Sequence, residues 1–155
     1  MEIRTILEKD IDSIINILIQ VNDVHHQGRP DIFKSGSSKY TKEELKNVFN
    51  NPLRVTFVMV DNAKVLGYIF CIIKEIKENN IFVSNKTLYV DDLGVDSKYR
   101  NQGIGSALLK YAEDYAKKIG CYNLTLNVWN LNPEALKFYE SKGLKSRKIE
   151  MEKIL

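Results

Sequence analysis

The sequence predicts an α/β domain built on one mixed sheet. Three observations predict it. Two apolar runs, Arg54–Val60 and Lys64–Lys74, are joined by a polar turn and read as an antiparallel hairpin. A strand, a helix and a strand follow one another over Thr87–Val95, Ile104–Ile119 and Tyr122–Trp129, which implies a parallel pair with a right-handed crossover. Helical periodicity also appears before the hairpin and after the last of these strands.

The elements follow in order. Ile3 and Ile6 sit in a short first strand or turn. Asp10 reads as the cap of a helix with Ile11, Ile14, Ile15, Leu18 and Val21 on one side. Asn22–Lys39 is polar and reads as a long irregular loop, a kind of segment that often carries function. Thr41 and Glu44 form a capping box that starts a second helix, with Leu45, Val48 and Phe49 as its apolar stripe. Asn50-Asn51-Pro52 stops it. After the hairpin, Lys77–Asn80 is a turn and Ile81–Val83 an irregular extension of the strand. In the next helix Ile104, Ala107, Leu108, Tyr111, Ala112 and Tyr115 share one side, and Gly120 is its C-terminal cap. Asn132-Pro133 opens a last helix that Gly143 closes. Lys145–Leu155 alternates again, with Ile149 and Met151 in phase, and reads as a final strand.

Length and composition bound the function. The 155 residues fit a single domain, 1–155, with 44% hydrophobic and 28% charged residues. No apolar run is long enough for a membrane helix, and the alternating start Met1-Glu2-Ile3-Arg4 lacks a signal-peptide core. The net charge of +3 is too mild to argue for nucleic acid. The Lys142, Lys145, Arg147 and Lys148 cluster reads as a solvated face. Cys71 and Cys121 lie in apolar contexts and read as buried thiols of a reducing cytoplasm, with neither a disulfide nor a metal site expected.

The chemistry concentrates at Leu93–Gly105. Arg100-Asn101-Gln102-Gly103-Ile104-Gly105 lies between a strand and a helix, where free backbone N–H groups suit an anion. Gly103 and Gly105 remove side chains that would block a phosphate, and Arg100 adds a charge-assisted donor. A Walker A loop needs Gly-Lys-Ser/Thr, and the dinucleotide fingerprint needs a glycine where this chain has Leu108. A plain strand-to-helix turn explains the glycines equally well.

The wider pattern resembles the GNAT superfamily of acetyl-CoA-dependent N-acetyltransferases. Its Arg/Gln-x-x-Gly-x-Gly/Ala signature reads here Arg100-x-x-Gly103-x-Gly105, after the apolar Leu93-Gly94-Val95. A second motif follows in order, Asn132-x-x-Ala135-x-x-Phe138-Tyr139, then Gly143-Leu144, with Leu where the family has Phe. The resemblance covers nearly the whole chain. It implies a mixed sheet whose two central parallel strands splay apart around acetyl-CoA, with no metal. It implies that the backbone of Leu93, Gly94 and Val95 holds the pantetheine arm and polarises the thioester. The amides of Arg100, Asn101, Gln102, Gly103, Ile104, Gly105 and Ser106 would bind the pyrophosphate, and Asn132 and Tyr139 would face the reacting end of the cofactor.

An amine attacking a thioester needs a base, oxyanion donors and a proton for the leaving thiolate. Tyr139 is the candidate acid, because a phenol with a pKa of about 10 keeps its proton at neutral pH. Asp91 and Asp92 stand out in an apolar strand and are expected on opposite faces, Asp91 on the side of Leu93 and Val95. Asp91 is the first candidate base or cation contact and Asp92 the second; a salt bridge or a water chain would serve instead. Arg29, Asp31 and Phe33 are substrate contacts by analogy with the family's acceptor wall, and Tyr89 and Trp129 line either the cleft or the core. His25 and His26 read as exposed loop histidines.

The expected function is acetyl transfer from acetyl-CoA to a primary amine in a ternary complex. The acceptor is a small molecule or a peptide, with no nucleic acid or membrane partner. A non-catalytic acyl-CoA-binding module, a protein N-terminal or lysine acetyltransferase, and another nucleotide-binding domain are the alternatives. Alternation in Lys145–Leu155 suggests an edge-strand homodimer.

Overall fold

Five strands lie in the order in which they occur along the chain, in a computed structural model that describes residues 1–155. They are β1 (Glu2–Thr5), β2 (Arg54–Asp61), β3 (Lys64–Ile76), β4 (Asn85–Val95) and β5 (Asn123–Leu126). The first four pair antiparallel and β4 pairs parallel with β5. Four helices cover the sheet: α1 (Ile11–Gly28), α2 (Lys42–Asn50), α3 (Ile104–Lys118) and α4 (Pro133–Ser141). None is long and apolar enough to cross a membrane.

The sheet separates two apolar layers. One joins Ile14, Ile17 and Leu18 of α1 and Leu45 of α2 to Val58, Tyr68 and Phe70. The other joins Ile104, Leu108, Leu109 and Ala112 of α3 to Phe57, Ile69, Leu88 and Val90, with Phe138 and Tyr139 of α4 packed against it. The β2–β3 turn places Asn62 and Ala63 at φ 46° and 65°, the twist that a two-residue hairpin loop requires. Thr41 and Glu44 close the expected capping box, Glu44 N–H donating to Thr41 Oγ1 at 3.1 Å and Thr41 N–H to Glu44 Oε2 at 2.8 Å.

Several expectations are corrected. Asp10 does not cap α1 through its side chain. It is buried, takes the Leu7 N–H at 2.8 Å, and receives Arg4 as a fork at 2.6 and 2.9 Å. Burial alone would raise its carboxyl, but the bonds from Arg4 and the Leu7 N–H outweigh that and hold its pKa below the ordinary value. Asn22–Gly28 is helical and not loop, because nothing in that polar stretch breaks the helix before Gly28 and Pro30. His25 and His26 therefore sit on α1, half-buried. Ile81–Val83 is exposed loop. The strand expected over Tyr122–Trp129 pairs only over Asn123–Leu126. Lys145–Leu155 forms no strand at all.

Candidate active site

The site is built where β4 and β5 part. They pair from Thr87↔Asn123 to Val90↔Leu126 and no further. Beyond Val90, β4 continues through Asp92–Val95 paired only with β3, from Phe70↔Asp92 to Gly67↔Val95. The β5-facing backbone of Leu93–Val95 is thus an open edge, free to donate to and accept from an extended ligand.

Directly after this edge the chain turns into α3. Asp96 caps a short 3-10 turn, Asn101 takes φ 62°, and Gly103 takes φ 81° as the N-cap of α3. A Cβ on Gly103 would meet nothing within 4 Å, so glycine is needed there for its left-handed backbone and leaves an open approach. Ala107 N–H is the first of α3 to bond back, to Gly103 O at 3.0 Å. The amides of Ile104, Gly105 and Ser106 thus point out of the helix start with its partial positive charge. Gly105 lies against α4. A Cβ there would lie 3.5 Å from the Phe138 ring, an ordinary contact distance, so this position marks where α4 packs on the start of α3. Arg100 Nε donates to Val95 O at 3.3 Å, which holds the guanidinium beside the loop. Asn132 takes the Ala135 N–H on Oδ1 at 3.1 Å and starts α4.

A second half of the site lies on the α1–α2 side of β4. A β-bulge opposite Phe70/Cys71 makes Asp91 an extra residue in its strand. The alternation is reset there: Leu88 and Val90 face the α3 layer, and so do Leu93 and Val95. Asp91 and Asp92 therefore do not point to opposite faces, and Asp91 does not share its side with Leu93. Both carboxylates reach one ammonium, Lys39 Nζ, at 3.1 Å from Asp91 and 3.9 Å from Asp92. Lys39 Nζ also donates to the Asp91 carbonyl at 2.9 Å. Arg54 Nη1 donates to Tyr40 Oη at 3.1 Å, and Tyr40 donates on to Asp91 Oδ2 at 2.5 Å.

The two acids differ. Asp91 is held by Lys39, Tyr40 and Arg54, the last at 3.7 Å. Asp92 lies deeper; burial pushes its carboxyl up, Lys39 pulls it back, the Asp91 charge pushes again, and it comes to about 6. Burial lowers the Lys39 ammonium, but Asp92 and Asp91 together outweigh that and hold its proton on. Tyr68 Oη is buried without a hydrogen-bond partner and lies against Gly94, where a Cβ would come within 2.8 Å of it. Burial first, then the Asp92 charge, raises its pKa well above the phenol value. The same two causes, in the same order, raise Tyr139.

Of the expected acceptor contacts, Arg29 and Asp31 pair with each other at 2.9 and 2.8 Å, and Arg29 also takes Glu152 at 2.9 Å. Phe33 stacks on His25 at 4.9 Å and meets Trp129 edge-on at 5.1 Å, an aromatic wall between α1 and the end of β5. Tyr89 lies under Lys74 Nζ at 3.6 Å and accepts from Asn127 Nδ2 at 3.2 Å. Sequence reasoning misses Lys39, Tyr40, Arg54 and Tyr68. Arg54, a cation opening an apolar strand, is the one visible signal. A cavity of about 270 Å³ touches Lys39, Tyr40 and Arg54. A larger one, about 570 Å³, lies at the far end of β4 around Glu75, Lys86 and Tyr122, away from every group described above.

A parallel pair opened beside an anion-seeking helix start suits a domain that holds a long phosphorylated ligand along a sheet edge. Residues 21–144 match the model of the acetyltransferase (GNAT) family. The chain is 31% identical over 68 residues to glucosamine 6-phosphate N-acetyltransferase of Arabidopsis thaliana, 44% of each chain. It is 26% identical over 147 residues to an uncharacterised N-acetyltransferase of Methanocaldococcus jannaschii, 95% of this chain and 62% of that one. The chain thus spans less than two thirds of either relative. The crystal structure of a mutant Bacillus halodurans protein superposes with a TM-score of 0.96 at 27% identity, over 100% of this chain and 99% of that one. The chain belongs to the acetyltransferase (GNAT) family.

Proposed function

We propose that the chain transfers an acetyl group from acetyl-CoA to the nitrogen of a cationic primary amine, by direct attack in a ternary complex. Lys39 is the observation that carries this reading. A primary alkylammonium, its own, already rests on the acid pair at 3.1 and 3.9 Å, so the pocket has the charge and reach that such an acceptor needs.

The residues present fit the cofactor. The open edge at Leu93–Val95 offers backbone partners for the amides of a pantetheine arm. The free amides of Ile104, Gly105 and Ser106, with Arg100 beside them and Gly103 leaving room, suit a pyrophosphate. Asn101 and Gln102 complete that turn, and we assign Asn132, the cap of α4, and Tyr139 on it to the reacting end of the cofactor. Bound acetyl-CoA supplies an acyl group activated as a thioester.

Asp92 is the base: at about 6 it is ionised at neutral pH, yet more basic than an ordinary carboxylate. Asp91, fixed by Tyr40 and Arg54, anchors the ammonium before it loses its proton. The ammonium first gives one proton to Asp92, which passes it to water. The amine lone pair then forms the C–N bond, the C–S bond breaks, the second nitrogen proton leaves through Asp92 to water, and water restores the proton that Tyr139 gives up. An N–H on the open edge of Leu93–Val95 stabilises the oxyanion. Tyr139 keeps its proton because its phenol is buried, and gives it to the departing sulfur.

The test is a panel of polyamines, aminoglycosides, amino acids and lysine peptides incubated with acetyl-CoA, with products identified by mass spectrometry. An acetylated amine is the expected result. Tight CoA binding with no product from any acceptor would replace this reading with a non-catalytic acyl-CoA-binding module.

A further inference from the structure

Lys39 is the amine that the fold itself delivers to the acid pair. It lies on the loop between α1 and α2, and its neighbour Tyr40 fixes it there. The Tyr40 hydroxyl is bonded to Asp91 at 2.5 Å and to Arg54 at 3.1 Å, and its ring meets Phe70 edge-on at 6.1 Å. The Lys39 side chain remains 40% exposed, against 14% for Asp91 and 10% for Asp92. The ammonium thus covers the acids from the solvent side. Burial first, then the Lys39 charge, lowers the His25 pKa, so the ammonium also acts on the aromatic wall of His25, Phe33 and Trp129.

In chemistry and in place Lys39 Nζ matches an acceptor amine. Both are primary alkylammonium groups, and Asp92, the base of the transfer, stands 3.9 Å from the one already present. After burial, the Asp92 charge raises the pKa of Tyr139, so base and acid act within one cluster. Arg54, the other cation on Asp91, keeps its proton and does not attack. Lysine supplies the nucleophile, and its flexible four-carbon stem lets Nζ move between the two acids.

We propose that Lys39 is a self-acetylation site: with acetyl-CoA bound and no acceptor on the acid pair, its Nζ takes the acetyl group within the same chain. This step rests on the acetyl transfer proposed above, with Lys39 as an internal substrate. The Lys39 ammonium gives one proton to Asp92, which passes it to water. The lone pair then forms the C–N bond, the C–S bond breaks, and Tyr139 protonates the sulfur. The second nitrogen proton leaves through Asp92 to water, and water restores Tyr139. The product amide is neutral and pairs with neither carboxylate. The reaction thus runs once per chain and leaves the acid pair to an external ammonium.

The test incubates the full chain with acetyl-CoA and no added amine, followed by intact mass and peptide mapping. Lys34, exposed on the same loop, reports chemical acetylation from solution. Despite partial burial, the acid pair holds the proton on Lys39, so uncatalysed acetylation should favour Lys34. The expected result is one acetyl per chain, on Lys39, formed roughly a hundred-fold faster than on Lys34. Its rate constant should not change on dilution of the protein, and Asp92→Asn should erase the lead over Lys34. Lys39 acetylated no faster than Lys34 overturns the proposal. So does a rate constant that falls on dilution, which would mean transfer between copies, or a lead that survives in Asp92→Asn. The wild-type comparison with Lys34 decides whether or not Asp92→Asn folds. The two readings separate as well. A panel amine acetylated beside an unmodified Lys39 overturns self-acetylation alone, whereas no acetyl on Lys39 or on any panel amine overturns both.

Discussion

Replacing Lys39 with Met removes the ammonium that faces both acids while keeping the length of the side chain. The Lys39–Asp92 separation of 3.9 Å corresponds to about 4 kcal/mol at an effective dielectric constant of about 20. The Lys39 side chain is 40% exposed, so solvent screens the pair, and roughly 1.4 to 2.8 kcal/mol is the realistic share. That corresponds to a rise of about one to two pH units in the Asp92 titration. The sign follows from charge: without the cation, the neutral acid is favoured and the midpoint moves up from about 6. The assay is a carboxyl carbon NMR titration of wild type and Lys39→Met, with Asp92→Asn assigning the resonance; it requires no acceptor. In the wild type Asp92 is mostly ionised at pH 7, whereas in the variant, with its midpoint at about 7 to 8, it is from half to about nine-tenths protonated there. An Asp92 midpoint that does not move would refute the coupling and with it the ammonium site.

Other outcomes follow from the same geometry. Tyr139→Phe should lower kcat by roughly 10²-fold with little change in the acetyl-CoA KM, measured by thiol release; an unchanged kcat removes Tyr139 from the acid role. Gly103→Ala meets no atom, so its cost is the left-handed φ alone, about 1 to 2 kcal/mol by thermal unfolding, with a raised KM for acetyl-CoA. An unaltered KM would make the loop a plain turn. Asp10→Ala strands Arg4 beside the core and should destabilise by roughly 3 kcal/mol in urea unfolding. The Asp10 carboxyl sits below its unfolded value, so its contribution is complete above that value and is lost as pH falls through the folded one. A stability profile flat through the acid range in wild type, but not in the variant, would contradict this.

Features written in local chemistry are legible in the sequence. Thr41 and Glu44 close their box within four residues, and Gly103 reveals its turn by its place between a strand and a helix. The parallel pair follows from two apolar runs around one amphipathic helix. The acid pair is visible too, but not its geometry. Whether Asp91 and Asp92 share a face depends on one extra residue in β4 relative to Phe70 and Cys71, and that register belongs to the partner strand. Lys39, Tyr40 and Arg54 come from a loop, a helix approach and a strand start, and only folding brings them onto Asp91. The last turns of α1 are polar and read as loop by composition, yet the helix runs on because the break signals, Gly28 and Pro30, come later. Residues 145–155 have the pattern of a strand without its pairing, because a period of two specifies a face and not a neighbour.

The most direct test pairs each primary amine acceptor with its hydroxyl isostere and follows thiol release from acetyl-CoA in wild type and Asp92→Asn. The account predicts release with the ammonium-bearing member of a pair, none with its isostere, and a collapse of the rate in Asp92→Asn. Equal release from both members, or full activity in Asp92→Asn, would contradict an acid pair that seats and deprotonates an alkylammonium.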